Sequence, residues 1–597
     1  AWPVFLLACR KLGSPWAGVA FVAAYLLWPG LESANLFEFH AAALSPFFML
    51  WAFLFLEEAL EGGGAELHPL PLSEREGTPS PSQGEGWGGG LIPFPMKFNR
   101  WVLFALFSFL ALSTKEDISL LFLMLGLYVF LVRRRRAGLL IAAAGLIWFL
   151  LAVQVVIPHF RQGRESPFLF FYEDWGRTPS EVAQTVLSRP GLVLSALWTP
   201  ENGRFLRGLF LPFAFLPLLE LPLFLVTLPS LVISLFSANP LIHQLERYHY
   251  AAPFAPFVAI SAIYGMKRLA ALAGAVASRL SHSSSALSPL VVHVLSAALV
   301  AVSLYYHYQR GFSPLARPYQ PITVTDHHRL GSKLAATIPA GAGVGAQAEL
   351  IPHVSQRELV TVWPNNEGTD YIFLDISHPN FDNRRVAEVG AQEHLFTWLA
   401  LNDSFRLVAA EDGYMILKRG AKLQPFRPPF FTFAQAPNPR PQYPLVADFG
   451  EGLRLLGFDV YLRREDEPLV MTYWETRQPL ERDYFFALYL LDENDAVVGA
   501  TIWKQPTMVW YPTSMWPAEG TYKVLFNTFP WWSGDRERFG IALGVCEGED
   551  PWPADRRLPP RIVEAAAGSY LLDEGTLLRL VGFRRAWEIP YPAAEGE

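Results

Sequence analysis

Charge is what this chain most lacks. Only 17% of its 597 residues are Asp, Glu, Lys or Arg, against about 25% in an ordinary soluble domain. The deficit is uneven: residues 1–60 and 100–307 hold long apolar runs, whereas 308–597 reads as water-soluble protein. Cysteine is almost absent. Cys9 closes an apolar segment and Cys546 lies in the polar half, which excludes a disulfide framework and any zinc-ligand spacing. The net charge of −7 contains no basic stripe, so nucleic acid is not an expected partner. Nucleophile-elbow, His-Glu-x-x-His and Walker sequences are missing. Gly341 to Gly345 resembles a phosphate loop only until the required Lys-Ser/Thr fails to appear, and it reads as a turn entering a strand.

What is present is 51% hydrophobic and 14% aromatic. Because about 20 apolar residues cross a bilayer, the candidate membrane segments are 1–9, 14–30, 40–57, 101–113, 118–132, 137–157, 206–236, 250–266 and 287–308. The chain opens with Ala1-Trp2-Pro3-Val4 inside an apolar run, without a basic leader. That is not a signal peptide, and it reads as the middle of a helix with an N-terminal part missing. Lys and Arg set orientation. Arg133 to Arg136 marks the cytoplasmic side, and counting outward puts Arg10, Lys11, Lys97, Arg100, Lys267, Arg268 and Arg279 there too. The count closes only if 206–236 crosses twice or enters and returns, and Pro212, Pro217, Pro222, Pro229 and a central Glu220 suit such a broken hairpin. The expected product is a multi-pass protein of the cytoplasmic membrane with its C-terminal domains extracytoplasmic.

The Gly/Pro/Ser-rich stretch 59–99 is expected to be a disordered inner loop. Residues 309–420 alternate strand and helix signals and predict a small α/β domain. Residues 440–588 carry short alternating strands separated by turns, the pattern of a β-sandwich. The fold expectation is therefore a polytopic α-helical membrane domain over 1–308, then the α/β domain, then the sandwich. Trp474, Trp503, Trp510, Trp516, Trp531 and Trp532 fit either a sandwich core or a sugar-stacking face.

Chemistry-bearing side chains gather on the predicted outer side. Glu32, Asn35, Glu38 and His40 follow the helix 14–30, and Lys115-Glu116-Asp117 tips the next outer turn. Placed in one pocket, they offer a general base, ligands for a divalent cation, or a lysine for a phosphate. A loop over 158–205 adds His159, Arg161, Arg164, Glu173, Asp174 and Arg177, and its run Phe168 to Tyr172 suits a helix on the bilayer surface. Arg161 and Arg164 have the bidentate geometry for a lipid phosphate. His243, Glu246, Arg247, Tyr248, His249 and Tyr250 form a further group. Each residue also reads as an interfacial polar group at a helix end.

The motifs Asn35-Leu-Phe-Glu-Phe-His40, Lys115-Glu116-Asp117, Leu228-Pro-Ser-Leu231, His249-Tyr250-Ala251-Ala252-Pro253, Ile338-Pro339 and Leu350-Ile-Pro-His353-Val-Ser-Gln-Arg357 resemble, over roughly 1–375, a bacterial family of polytopic membrane proteins of unknown function. That family's layout is similar to the GT-C class of glycosyltransferases. The resemblance implies a polyprenyl-phosphate sugar donor, a glycan acceptor and membrane lipid as partners, with a divalent metal ion as a conceivable cofactor. Glu38, His40, Glu116 and Asp117 are then the catalytic candidates, and Asn35, Lys115, Arg161, Arg164 and His249 the substrate-binding ones. Family members usually carry Asp where this chain has Glu38, and the acidic first outer loop of the GT-C class has no counterpart here. Tyr473-Trp474 and Tyr511-Pro-Thr-Ser-Met-Trp516 resemble C-terminal domains of other membrane glycosyltransferase-like proteins. The alternative expectation is a non-catalytic envelope protein anchoring an extracellular, glycan-binding sandwich.

Overall fold

Proline and glycine decide where the apolar half turns. The computed structural model describes residues 1–37, 39–61, 99–161, 169–176, 179–239, 241–280, 287–321, 323–377, 391–422, 424–450, 452–462, 468–501, 504–526, 537–585 and 588–590. These divide into two compact units, 1–319 and 320–597. The predicted inner loop 59–99 lies almost wholly outside the described residues.

The first unit is helical. Helices α1 (Trp2–Leu12) and α2 (Pro15–Leu26) are separated by Gly13, whose left-handed φ of 64° closes α1 with a bond to the Cys9 carbonyl. Ser14 then caps α2. Pro29 starts α3 (Pro29–Leu36), bent 53° from α2, so the predicted segment 14–30 is a broken one. Next come α4 (Ser45–Leu60), α5 (Arg100–Leu112), α6 (Ile118–Leu131) and α7 (Ala137–Leu151), which runs through a π-turn into α8 (Ile157–Arg161). Among the described residues five helices are long and apolar enough to cross a membrane, or six if the bent pair counts as one. α6 and α7 approach through glycine. A Cβ on Gly126 would stand 2.2 Å from the Ala142 backbone nitrogen, and one on Gly138 2.4 Å from that of Phe130.

Short helices α9 (Pro179–Ser188) and α10 (Pro190–Leu197) lead to α11 (Pro200–Phe210). From there the chain enters and returns. Gly208 lies beside Tyr306 and Glu246. Ala214 and Phe215 take left-handed φ values of 51° and 57°, and the Leu216 carbonyl packs on Gly265. Glu220 pairs with Arg268 at 2.5 Å. The return runs through α12 (Leu221–Phe224) and α13 (Leu228–Leu235). The prolines break the ladder while neighbouring helices cover the freed backbone. Helices α14 (Ala255–Leu280) and α15 (Leu287–Arg310) complete the unit, α14 continuing well past the expected end at 266.

Basic residues singled out as orientation markers meet at one end of this bundle. Lys11 bonds Glu57 at 2.7 Å and Glu61 at 2.6 Å, Arg10 and Arg100 hold Glu58 at 2.7 and 2.9 Å, and Arg133 bonds Glu57. Tyr264 of α14 donates a further bond to Glu57 at 2.6 Å. Glu57 is buried, so these bonds offset a desolvation cost that would otherwise expel it.

The second unit is strand-rich, in three sheets. Helix α16 (Asp326–Thr337), capped by Thr325, precedes a sheet of order β2-β1-β3-β5-β4. β1 (Val344–Ala346), β2 (Val360–Val362) and β3 (Tyr371–Asp375) are parallel, while β4 (Phe405–Glu411) and β5 (Tyr414–Arg419) form an antiparallel hairpin against β3. The helix Ala391–Leu401 precedes β4.

The strands β6 (Tyr443–Phe449), β7 (Leu453–Leu462), β8 (Pro468–Thr476), β9 (Tyr484–Leu491), β10 (Val497–Ala500), β11 (Thr521–Phe526), β12 (Glu537–Glu547), β13 (Pro560–Glu564), β14 (Tyr570–Leu572) and β15 (Leu577–Arg585) form two antiparallel sheets. Their orders are β11-β8-β7-β6-β13 and β10-β9-β12-β15-β14. Buried Trp474 of β8 meets Phe486 of β9 at 4.6 Å, and Trp516 stacks on Tyr522 at 4.2 Å. Trp474, Trp510 and Trp516 are buried in the core, whereas Trp552 is exposed.

Candidate functional site

Away from the Glu57 cluster, the loops before α4, before α6 and before α14 converge. His40 leads into α4 through one tight turn, Lys115-Glu116-Asp117 precede α6, and His249 opens a turn that precedes α14. The rings of His40 and His249 stack at 3.8 Å and 16°, with Phe37 stacked on His40 at 5.7 Å. Lys115 Nζ bonds Asp117 Oδ2 at 3.0 Å. A small cavity of about 50 Å³ opens between Lys115, Asp117, Ser230, Ser234, His249 and Tyr250, with Ile233, Pro253 and Phe254 as apolar walls. Among the described residues, Asp117 Oδ1, Ser230 Oγ and His249 Nδ1 are buried atoms without a hydrogen-bond partner. Orphans of this kind are rare and costly in a folded protein, and here three line one cavity.

The electrostatics follow from packing. Burial, with His40 and Lys115 close by, pushes His249 down to about 4, so its imidazole is neutral at physiological pH. Burial would also lower Lys115. The charge and hydrogen bond of Asp117 outweigh it, and the ammonium is held above its ordinary range.

The expected site residues divide accordingly. Lys115, Asp117 and His249 line the cavity, and His40 backs it through the stack. Glu116 is exposed and contributes its carbonyl to the Ser119 hydroxyl. Asn35 is also exposed and bonds the Leu31 carbonyl of its own helix at 2.7 Å. Arg161 ends α8 and is not among the residues lining the cavity. Glu38 and Arg164 lie outside the described residues. Among the described residues no group of three or more His, Cys, Asp or Glu is arranged to hold a metal ion.

The aromatic run before Tyr172 differs from the expected surface helix in its described part. Leu169–Tyr172 is a single tight turn. The Tyr172 hydroxyl and the Trp175 indole donate to the Ile233 and Phe236 carbonyls at 2.8 and 2.9 Å. The end of α13 leaves those carbonyls open, and amphipathic rings satisfy them.

Tyr250 stood in the group running from His243, whereas Ser230 was visible in sequence only as part of a motif. A serine in an apolar helix ordinarily bonds its own backbone, so nothing in the pattern marks Ser230 as a cavity group.

A second cluster occurs in the other unit. His327 of α16 bonds Asp412 at 2.6 Å through Nδ1 and Asp375 at 2.9 Å through Nε2, and it stacks on Tyr414 at 4.4 Å. Ser377 Oγ donates to Asp375 at 2.7 Å, and Thr432 to Asp412 at 2.8 Å. Burial alone would lower the His327 pKa, but the two carboxylates carry it up to about 9. The resulting imidazolium has no lone pair with which to activate Ser377. The group ties α16 to the ends of β3 and β5 and makes a structural clamp.

A bundle of apolar helices, five of them long enough to cross a membrane among the described residues, with paired charges at one end, defines a polytopic membrane protein. The chain belongs to the family of predicted membrane proteins DUF2079, whose model matches residues 92–416. No curated protein matches the sequence.

Proposed function

We propose that the protein is a GT-C-like membrane glycosyltransferase that moves a sugar from a polyprenyl-phosphate donor to an extracytoplasmic acceptor. The observation that carries the reading is the cavity beside α6, where Lys115, Asp117 and neutral His249 converge with three partnerless polar atoms. Transfer needs the acceptor oxygen to attack the anomeric carbon as its bond to phosphate breaks, and a base to take the acceptor's proton. Neutral His249 or the Asp117 carboxylate has the chemistry for that last task. The basic end around Glu57 is read as cytoplasmic, which puts the cavity on the outer side, where lipid-linked sugars are used. Glu38, His40 and Glu116 stay in the proposal as further catalytic candidates, and Asn35, Arg161 and Arg164 as substrate-binding ones.

The alternative, a glycan-binding sandwich on a membrane anchor, needs exposed tryptophan. Trp474, Trp510 and Trp516 are buried, which supports a core role for these three, while Trp552 is 51% exposed and is the described tryptophan that the alternative would use. Trp503, Trp531 and Trp532 lie outside the described residues. The test is transfer of radiolabelled sugar from polyprenyl-phosphate donors by the full chain in lipid nanodiscs. His249→Ala and Lys115→Ala should each lose at least about a hundredfold in rate, the scale on which acid–base and electrostatic groups act. Wild-type rates in both variants would remove the site from the reaction.

A further inference from the structure

We propose that the cavity bounded by Lys115, Asp117, Ser230 and His249 is a hydroxyl-reading subsite that takes the vicinal-diol edge of a neutral sugar and not a phosphate. The inference rests on the transferase reading and specifies which part of the substrate this cavity holds.

Charge is the first reason. Among the described residues Lys115 is the only cation lining the cavity, and it is bonded to Asp117 at 3.0 Å. The two cancel, and a phosphate there would face the second oxygen of the Asp117 carboxylate. An anion site would instead offer an excess of donors.

Hydrogen-bond complementarity is the second. Asp117 Oδ1 can only accept, Ser230 Oγ both donates and accepts, and neutral His249 Nδ1 does either according to its tautomer. Among the described residues all three are buried without a protein partner, and Ser230 is only 4% exposed. Adjacent hydroxyls, each both donor and acceptor, satisfy such a mixed set, whereas a phosphate, rich in acceptors, does not.

Size is the third. About 50 Å³ admits a few oxygen-sized groups, since a cavity needs about 10–15 Å³ of such space to hold one water. That fits an edge of a pyranose and leaves the rest of the ring outside. Ile233, Pro253 and Phe254 supply apolar walls for its C–H groups.

Ligand-observed saturation-transfer NMR on the detergent-purified full chain tests this, with methyl α-glucoside, α-mannoside and α-galactoside as probes and inorganic phosphate as competitor. At least one glycoside should receive saturation, strongest on ring protons next to the recognised hydroxyls. Ser230→Ala removes one unpartnered hydroxyl and should weaken that binding about tenfold, as should Asp117→Asn, while phosphate should not displace the glycoside. No glycoside binding to the wild type, binding unchanged in both variants, or displacement by phosphate would each overturn the subsite. The two readings also separate. Residue-dependent glycoside binding in a protein without transfer activity keeps the subsite and discards the transferase. Transfer whose sugar preference ignores both substitutions does the reverse.

Discussion

Replacing His327 by Gln removes a charged ring that two carboxylates share, and the structure sets the scale of the loss. Asp375 and Asp412 bond the ring at 2.9 and 2.6 Å and raise its pKa from 6.5 to about 9. A lift of that size corresponds to about 3 kcal/mol at most. The His327 side chain is 26% exposed, and solvent screening leaves about 1–2 kcal/mol. Because the folded-state pKa is the higher one, this stabilisation is complete below about pH 6.5 and is lost as pH rises through about 9. Asp412, held below its ordinary range chiefly by His327 against the opposing pull of burial, adds a contribution that disappears only in acid. Hydrogen–deuterium exchange of the α16 amides, corrected for intrinsic rates, reads the clamp locally in the full chain. Wild-type protection should fall about tenfold between pH 6.5 and 9, and His327→Gln should start lower and stay flat. Equal protection in the two proteins, or a pH-independent wild type, would refute the clamp.

Three further substitutions probe the packing. Glu57→Gln leaves Lys11 and Arg133 facing a neutral amide in a buried cluster; a loss of about 3 kcal/mol is expected, seen as a lower Tm and fewer monodisperse particles, and an unchanged Tm would contradict the cluster's role. Gly126→Val drives a side chain into the Ala142 backbone and should destabilise the detergent-solubilised protein by more than about 2 kcal/mol, whereas a silent substitution would mean that α6 and α7 do not touch there. Trp474→Ala should cost about 3–5 kcal/mol as a core deletion; loss of glycan binding at unchanged stability would show the residue to be a stacking platform instead.

The membrane half was legible because its signals are local. Apolar length located the helices, the four prolines between 212 and 229 marked where the chain breaks into short helices, and Arg10, Arg100 and Arg133 from separate segments meet the adjacent Glu57 and Glu58. Pro29 was in plain view, yet the bend it starts lies inside a run that hydropathy reads as continuous. The site was legible in part. Lys115, Asp117, His40 and His249 stood out as ionisable residues at helix ends, and the cavity brings the first two and the last together. Ser230 did not stand out, because only its unpartnered hydroxyl distinguishes it. The His327 clamp joins residues 48 and 85 positions apart, a distance across which no periodicity carries information. Its aspartates look like ordinary strand-end and turn residues until β3 and β5 pair.

The central claim is that the helical unit works on a lipid-linked sugar, and native mass spectrometry of the detergent-purified protein tests it most directly. A co-purifying sugar adduct of a polyprenyl phosphate, retained by the wild type and lost from Lys115→Ala, is the expected result. Bulk phospholipid alone, identical in the wild type and the variant, would contradict it.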